Sequence, residues 1–213
     1  MMKYKILQVG ASGSGKTWSN INLGKNAAFI NVENKPLPFK DNFKSHSIPK
    51  DYTEALKALI EAAKNPDIDI IVFDSFSAYM ESVLKEARAS RKGFDVWNFY
   101  NEEIAKFHTI LNRIDKTVFV TGHYEILNIE GNAEKRLKVQ GRENEGLVER
   151  HYTIVMYSDK KWNEDRKRFD YFFTLAGENL SAKCPPQIFG EDVINIPNDN
   201  KFINEKIEEF INN

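Results

Sequence analysis

The chain has 213 residues, with 30 Lys and Arg against 31 Asp and Glu and a formal net charge of −1. That balance excludes a histone-like or polybasic binder, whose affinity comes from bulk positive charge. With 41% hydrophobic and 29% charged residues, the composition is that of an ordinary globular chain rather than a disordered one. A single cysteine, Cys184, excludes an internal disulfide and a multi-cysteine zinc site, and it reads as a small buried hydrophobe. The four histidines form no metal-binding doublet. The first ten residues hold too short an apolar run for a secretory signal, and no stretch approaches a membrane span. The expectation is one domain over residues 1–213 in a reducing, cytoplasmic compartment, with no membrane partner. Charge is uneven along the chain: residues 1–50 carry +6, residues 51–190 carry −3 and residues 191–213 carry −4.

In chain order, residues 4–9 (YKILQV) form a short apolar run ending in a glycine-rich turn and predict a buried strand. A helix is expected over about residues 16–25, with Gly24 near its end, and a second strand over residues 27–32 (AAFINV). Two prolines mark residues 34–47 as loop. Asp51 to Glu54 has a capping-box pattern that starts a helix, stopped by Asn65-Pro66. Residues 68–73 (IDIIVF) read as a third buried strand. Two apolar stripes at helical spacing follow, from Phe76 to Ala87 and from Trp97 to Ile114. The basic link 89–93 between them reads as loop.

Residues 117–121 (TVFVT) are a fourth apolar strand. Beyond it, residues 125–129 and 137–140 flank a polar turn in a hairpin pattern, and residues 152–157 and 169–175 flank a charged turn over 158–168. Pro197 and Asp199 precede an acidic helical tail over about residues 198–213. Strands alternating with helices, and apolar enough for burial on both faces, predict an α/β domain. Its central sheet is mostly parallel, flanked by helices and extended by antiparallel strands in the C-terminal half.

One motif carries chemistry. Gly10, Ala11, Ser12, Gly13, Ser14, Gly15, Lys16 and Thr17 match G-x-x-x-x-G-K-[ST], with a strand before the motif and a helix expected after it. The glycines let the backbone turn its N–H groups toward phosphate oxygens, Lys16 reaches the β- and γ-phosphates, and the Thr17 hydroxyl can ligate Mg²⁺. The expected ligands are therefore ATP and Mg²⁺. Asp74, at the end of IDIIVFD, is the natural second metal residue, although an Asp there also suits a helix cap. Glu33 ends a neighbouring strand and can deliver a carboxylate to the same edge.

These stretches resemble the RecA core, and more closely the phage-encoded, core-only RecA-like ATPases of the Sak type, which are single-strand annealing proteins. GASGSGKT resembles the phosphate loop, AAFINVE the strand ending in the catalytic Glu, IIVFDS the metal-Asp strand and TVFVTGHYE the strand ending in a γ-phosphate sensor. Gly141 to Gly146, ahead of HYTIVMYSD, resembles the segment that closes the family's second DNA-binding loop, and the likeness covers about residues 4–189.

The resemblance implies a RecA-like ATPase of DNA recombination or single-strand annealing. In it Glu33 polarises the attacking water, Lys16 on the β- and γ-phosphates is counted with it as catalytic, and His123 senses the γ-phosphate. It places a DNA-facing loop over residues 124–142, with Lys135, Arg136, Lys138 and Arg142 as phosphate contacts. A first DNA loop would hold Arg88, Arg91 and Lys92, ahead of Trp97 and Tyr100, although the helical spacing of those aromatics fits burial. Implied partners are single-stranded DNA, further copies of the chain in a ring or filament, and a single-strand-binding protein; an origin in phage would put the protein in the host cytoplasm. Lys183 lies near the stretch that would serve a neighbouring subunit's site. The sequence departs from the family at Asn31, where an acid is usual, and lacks the N-terminal segment used for filament assembly. Two other functions fit a phosphate loop: a nucleotide-gated loader or annealing module with little turnover, and a nucleotide or small-molecule kinase whose lid would use Arg150 or Arg166 to Arg168.

Overall fold

The computed structural model describes residues 3–129, 131–141, 144 and 146–212. Its strands are β1 (Lys5–Gly10), β2 (Ala27–Asn31), β3 (Ser45–Ser47), β4 (Ile70–Asp74), β5 (Thr117–Gly122), β6 (Tyr124–Ile129), β7 (Asn132–Leu137), β8 (Ile154–Asn163), β9 (Arg168–Thr174) and β10 (Asn195–Pro197). Its α-helices are α1 (Tyr52–Lys64), α2 (Phe76–Ser90), α3 (Phe94–Arg113), α4 (Pro186–Phe189) and α5 (Asn200–Asn212). Eight strands form one sheet in the order β10-β9-β8-β1-β5-β4-β2-β3, and β6 and β7 pair as a separate ribbon. The six strands from β8 to β3 run parallel, whereas β9 is antiparallel to both β8 and β10. The expected α/β architecture, parallel at the centre and antiparallel toward the C-terminal edge, is observed.

Alternation along each strand sends neighbouring residues to opposite faces of the sheet. Leu7, Val9, Ile71, Phe73, Val118 and Val120 meet the apolar stripes of α1, α2 and α3. Ile6, Ile70, Val72 and Phe119 point the other way, toward Ile203 and Ile207 of α5 and Ile188 of α4. The strands are therefore apolar throughout because both faces are covered. Asp51 caps α1 as the sequence predicts, accepting from the Thr53 and Glu54 amides at 2.8 and 2.9 Å.

Several expectations are corrected. The segment after the phosphate loop is not a helix over residues 16–25 but two separate 3₁₀ turns, Trp18–Asn20 and Gly24–Asn26. Side chains compete for its backbone there. Ser19 Oγ donates to the Lys16 carbonyl at 2.7 Å, and Asn20 Nδ2 donates to the Lys16 and Thr17 carbonyls. Residues 34–47 are loop except for the edge strand β3, and α4 and β10 were not expected at all. The charged turn narrows to residues 164–167 because β8 runs on to Asn163. In the β6–β7 ribbon the second strand begins at Asn132 rather than residue 137.

A buried amide network ties the tail back to the phosphate loop. Asn200, at the start of α5, exchanges hydrogen bonds with Gln8 in β1 and donates to Asn20 Oδ1 at 2.6 Å. Gln8, Asn20 and Asn200 are all fully buried, so removing one member strands the others without water. We expect Asn200→Ala to destabilise the fold by about 1–3 kcal/mol, read as a lower urea midpoint at unchanged m. The exposed Lys201→Ala should stay within about 0.5 kcal/mol.

Candidate functional site

The parallel register brings the ends of five strands together. Val9 of β1 lies beside Gly122 of β5, Gly10 beside Ser158 of β8, and Asn31 of β2 beside Asp74 of β4. The Asp74 carbonyl accepts the Val32 and Glu33 amides at 2.7 and 3.4 Å, which carries Glu33 up beside the β4 terminus. The result is a cavity of about 500 Å³ lined by Lys16, Thr17, Asp74, Glu33 and His123 together. Residues placed by sequence in four separate stretches thus share one wall, at the C-terminal sheet edge where α/β folds collect ligands. Trp18, Leu37 and Tyr171 give the remaining lining an apolar character.

The phosphate loop is compact enough to exclude side chains. A Cβ on Gly10 would lie 2.5 Å from Ser14 Oγ and 2.9 Å from the Ser158 carbonyl. Gly15 has φ +99°, and its Cβ would lie 2.8 Å from the Tyr171 ring. The Ser158 hydroxyl donates to the Ser14 carbonyl at 2.7 Å and braces the loop from β8. With only a 3₁₀ turn behind it, this loop offers an anion its turned backbone amides and Lys16, not the dipole of a long helix.

Asp74 is buried and accepts two hydroxyls: Thr17 Oγ1 at 2.7 Å and Thr121 Oγ1 in a shorter contact. Burial pushes its carboxyl up, and the Thr121 and Thr17 hydrogen bonds oppose that rise. It does not cap α2. The neighbouring Ser75 does, accepting from the Ala78 amide at 3.3 Å. A hydroxyl and a carboxylate this close are hard oxygen donors that suit Mg²⁺, which keeps its other positions for water and phosphate. Among the described residues there is no cluster of three or more His, Cys, Asp or Glu of the kind a closed structural metal site would need.

Lys16 is buried, and its ammonium donates to the Gly10 and Ala11 carbonyls, each at 2.8 Å. Burial pulls it down to about 8, against the pull of the Asp74 and Glu33 carboxylates. Glu33 is held by three groups. His123 Nε2 lies 3.5 Å from Oε1, Lys35 Nζ lies 2.6 Å from Oε2, and Ser75 Oγ donates to Oε1 at 3.0 Å. The His123 hydrogen bond, followed by those from Lys35 and Ser75, holds the Glu33 carboxyl down at about 2 although burial works to raise it. His123 also lies 3.2 Å from the Gly10 carbonyl through Nδ1, and its amide donates to Ser77 Oγ at 2.9 Å.

Sequence reasoning missed Thr121, Ser75 as the Glu33 donor, Lys35 and Tyr171. Thr121 carried a signal, a polar residue closing an otherwise apolar strand. Lys35 and Tyr171 carried none, because a loop and a distant strand bring them in. The expected DNA contacts lie apart from the cavity on the ribbon and beyond it. Lys135 Nζ sits 4.9 Å from the Tyr124 ring centre, Arg136 pairs with Glu134 at 3.0 Å, and Lys138 is exposed. Arg142 lies outside the described residues. Tyr100 is fully buried and serves packing, whereas Trp97 is exposed, its ring lying 3.2 Å from where a Gly141 Cβ would stand. Arg91 lies 3.5 Å over the Phe99 ring. Lys183 pairs with Val155 of β8 and does not line the cavity of its own chain. Cys184 is half-buried, and burial pushes its thiol up to about 11, away from nucleophile chemistry.

Two outcomes follow for nucleotide binding. Lys16→Ala should weaken ATP binding at least roughly tenfold by calorimetry, as expected for loss of a charged hydrogen-bond donor. Phosphate binds the ammonium form, and the folded-state value lies near 8, so wild-type affinity should fall as pH rises through 8, by at most about tenfold per unit. Lys16→Ala should lack that limb.

Comparison with known proteins agrees with this geometry. The family model described as AAA domain matches residues 2–183. No curated protein matches the chain. Among solved structures, the KaiC-like protein PH0186 from the hyperthermophilic archaeon Pyrococcus horikoshii OT3 is similar in fold, with a TM-score of 0.50 at 15% identity, over 80% of this chain and 77% of that one. A mostly parallel sheet, a phosphate loop at its C-terminal edge and a family match over most of the sequence lead to one assignment: the chain belongs to the AAA-domain family.

Proposed function

We propose that the protein hydrolyses Mg-ATP and couples the nucleotide state to single-stranded DNA in recombination or annealing. The observation that carries the hydrolytic half is Glu33 beside Asp74, with Lys16, Thr17 and His123 on the same cavity. Thr17 and Asp74 would hold Mg²⁺, which when bound neutralises charge between the β- and γ-phosphates. The phosphate-loop amides and Lys16 orient the triphosphate, and the apolar surface of Trp18, Leu37 and Tyr171 suits the base. Glu33 orients the water and takes its proton. His123, between Glu33 and the Gly10 carbonyl, is positioned to respond to the γ-phosphate.

The DNA half rests on connectivity. His123 is the single residue between β5 and β6, and its carbonyl accepts the Lys138 amide at 2.8 Å. A shift of His123 toward a phosphate therefore moves both roots of the β6–β7 ribbon that carries Lys135, Arg136 and Lys138. Further copies of the chain and a single-strand-binding protein are the partners this role would use. Among the described residues no helix is long and apolar enough to cross a membrane.

A nucleotide-gated module with slow turnover is the second reading, favoured by the three donors on Glu33. A carboxyl held near 2 is a weak base at neutral pH. Nothing favours the kinase reading in the same way, since Arg166 and Arg168 sit at the β8–β9 turn and lie 3.8 and 3.7 Å from Asp170.

The test is ATP turnover with no DNA, with single-stranded DNA and with duplex. We expect stimulation by single strands that weakens with salt, because the contacts are to phosphates. The Lys135→Glu, Lys138→Glu double variant should lose that stimulation and keep its basal rate. Equal turnover under all three conditions would remove the DNA half of the proposal.

A further inference from the structure

The cavity contains a cation that the phosphate-loop motif does not supply. Lys35 stands two residues beyond Glu33 and lines the same cavity as Lys16, Thr17 and Asp74. Its backbone is held by hydrogen bonds while its side chain reaches out to Glu33. The Asn31 side chain, buried at the end of β2, donates to the Lys35 carbonyl at 2.7 Å and accepts from the Lys35 amide at 3.4 Å. That clamp closes a turn in which Asn34 is left-handed, with φ 53°, and Pro36 and Pro38 stiffen the chain beyond it. The Lys35 side chain itself is 71% exposed, and among the described residues its carboxylate contact is Glu33. An exposed ion pair of this kind adds little net stability, so a structural role does not account for an ammonium delivered to the site by a clamped turn.

Resting on the ATPase assignment above, we propose that Lys35 is a catalytic residue acting within its own chain, its ammonium leaving Glu33 for the γ-phosphate oxygens when Mg-ATP binds. A terminal phosphate carries more negative charge than one carboxylate, and it would enter the cavity both groups line. The transfer has two effects. It adds a second cation to the oxygens on which charge accumulates in the transition state, alongside Lys16. It also takes the Lys35 donor off Glu33 Oε2, so that this oxygen is open to the attacking water only when substrate is present. In the chemical step the water oxygen bonds to the γ-phosphorus. The bond from that phosphorus to the β–γ bridging oxygen breaks, and its electron pair leaves with ADP. The water proton passes to Glu33. Lys35 thus supplies positive charge without a neighbouring subunit, a role for which Lys183 is not placed in its own chain.

The experiment compares wild type with Lys35→Gln and Lys35→Arg in two measurements. One is steady-state ATP turnover; the other is calorimetric affinity for ADP and for the non-hydrolysable β,γ-imido analogue of ATP. Lys35→Gln should lower kcat about tenfold or more, and it should raise KM for ATP and weaken the analogue by a similar factor of about tenfold while leaving ADP within about twofold. Lys35→Arg should restore most of both. Unchanged affinities, or equal losses of ADP and analogue, would overturn the proposal even if the wild type hydrolyses ATP. A wild type that prefers the analogue through Lys35 yet shows no turnover would instead overturn the ATPase assignment and the catalytic role, leaving only the phosphate contact.

Discussion

The structure is organised around the buried Asp74 carboxylate and the two threonine hydroxyls that hold it. Thr17 approaches from the phosphate loop and Thr121 from β5, so one side chain joins the segment after β1 to the ends of β4 and β5. A carboxylate taken out of water is costly unless it is hydrogen-bonded and meets positive charge. The fold supplies the hydroxyls and Lys16; the remaining charge fits a divalent cation bound with the triphosphate. The same carbonyl–amide contact that ties Val32 and Glu33 to Asp74 also sets how close Glu33 stands to the Thr17–Asp74 pair. Moving β4 by one residue would flip Asp74 to the other face and break every one of these relations.

Around that carboxylate the site divides into two halves. The phosphate loop is boxed by Ser158 and Tyr171, and the buried Gln8–Asn20–Asn200 amides anchor the turn after it to α5. The other half is Glu33 with Lys35 and His123, all partly exposed and joined by side-chain polar contacts rather than by packing. His123 links β5 to the β6–β7 ribbon, and the Lys35 turn leads from β2 toward β3 at the sheet edge. The acidic tail noted from charge distribution has a structural use as well: Ile203 and Ile207 of α5 cover the second face of the sheet.

The architecture was legible because it depends on local patterns. Apolar strands, two helical stripes and an unbroken phosphate-loop motif report strand, helix and turn directly. Lys16, Thr17, Asp74, Glu33 and His123 come together because each ends an apolar strand or follows one, and parallel strands deliver their ends to one edge. What stayed hidden depends on contacts distant in sequence. The segment after Thr17 reads as helix, yet Ser19 and Asn20 turn their side chains onto its carbonyls and α5 closes over it. Asn31 reads as a departure from the RecA pattern, and its use as the clamp of Lys35 appears only when the turn is closed. Tyr171 is 156 residues from Gly15 in sequence and meets it only through the β8–β9 pairing.

The central claim is that Glu33 is the base of a Mg-ATP hydrolase, and one substitution addresses it most directly. Glu33→Gln keeps the size and hydrogen-bonding reach of the side chain and removes its charge. The account predicts that this variant binds Mg-ATP with affinity within a few-fold of wild type while its turnover falls by at least about a hundredfold. Turnover equal to wild type, with binding intact, would contradict it.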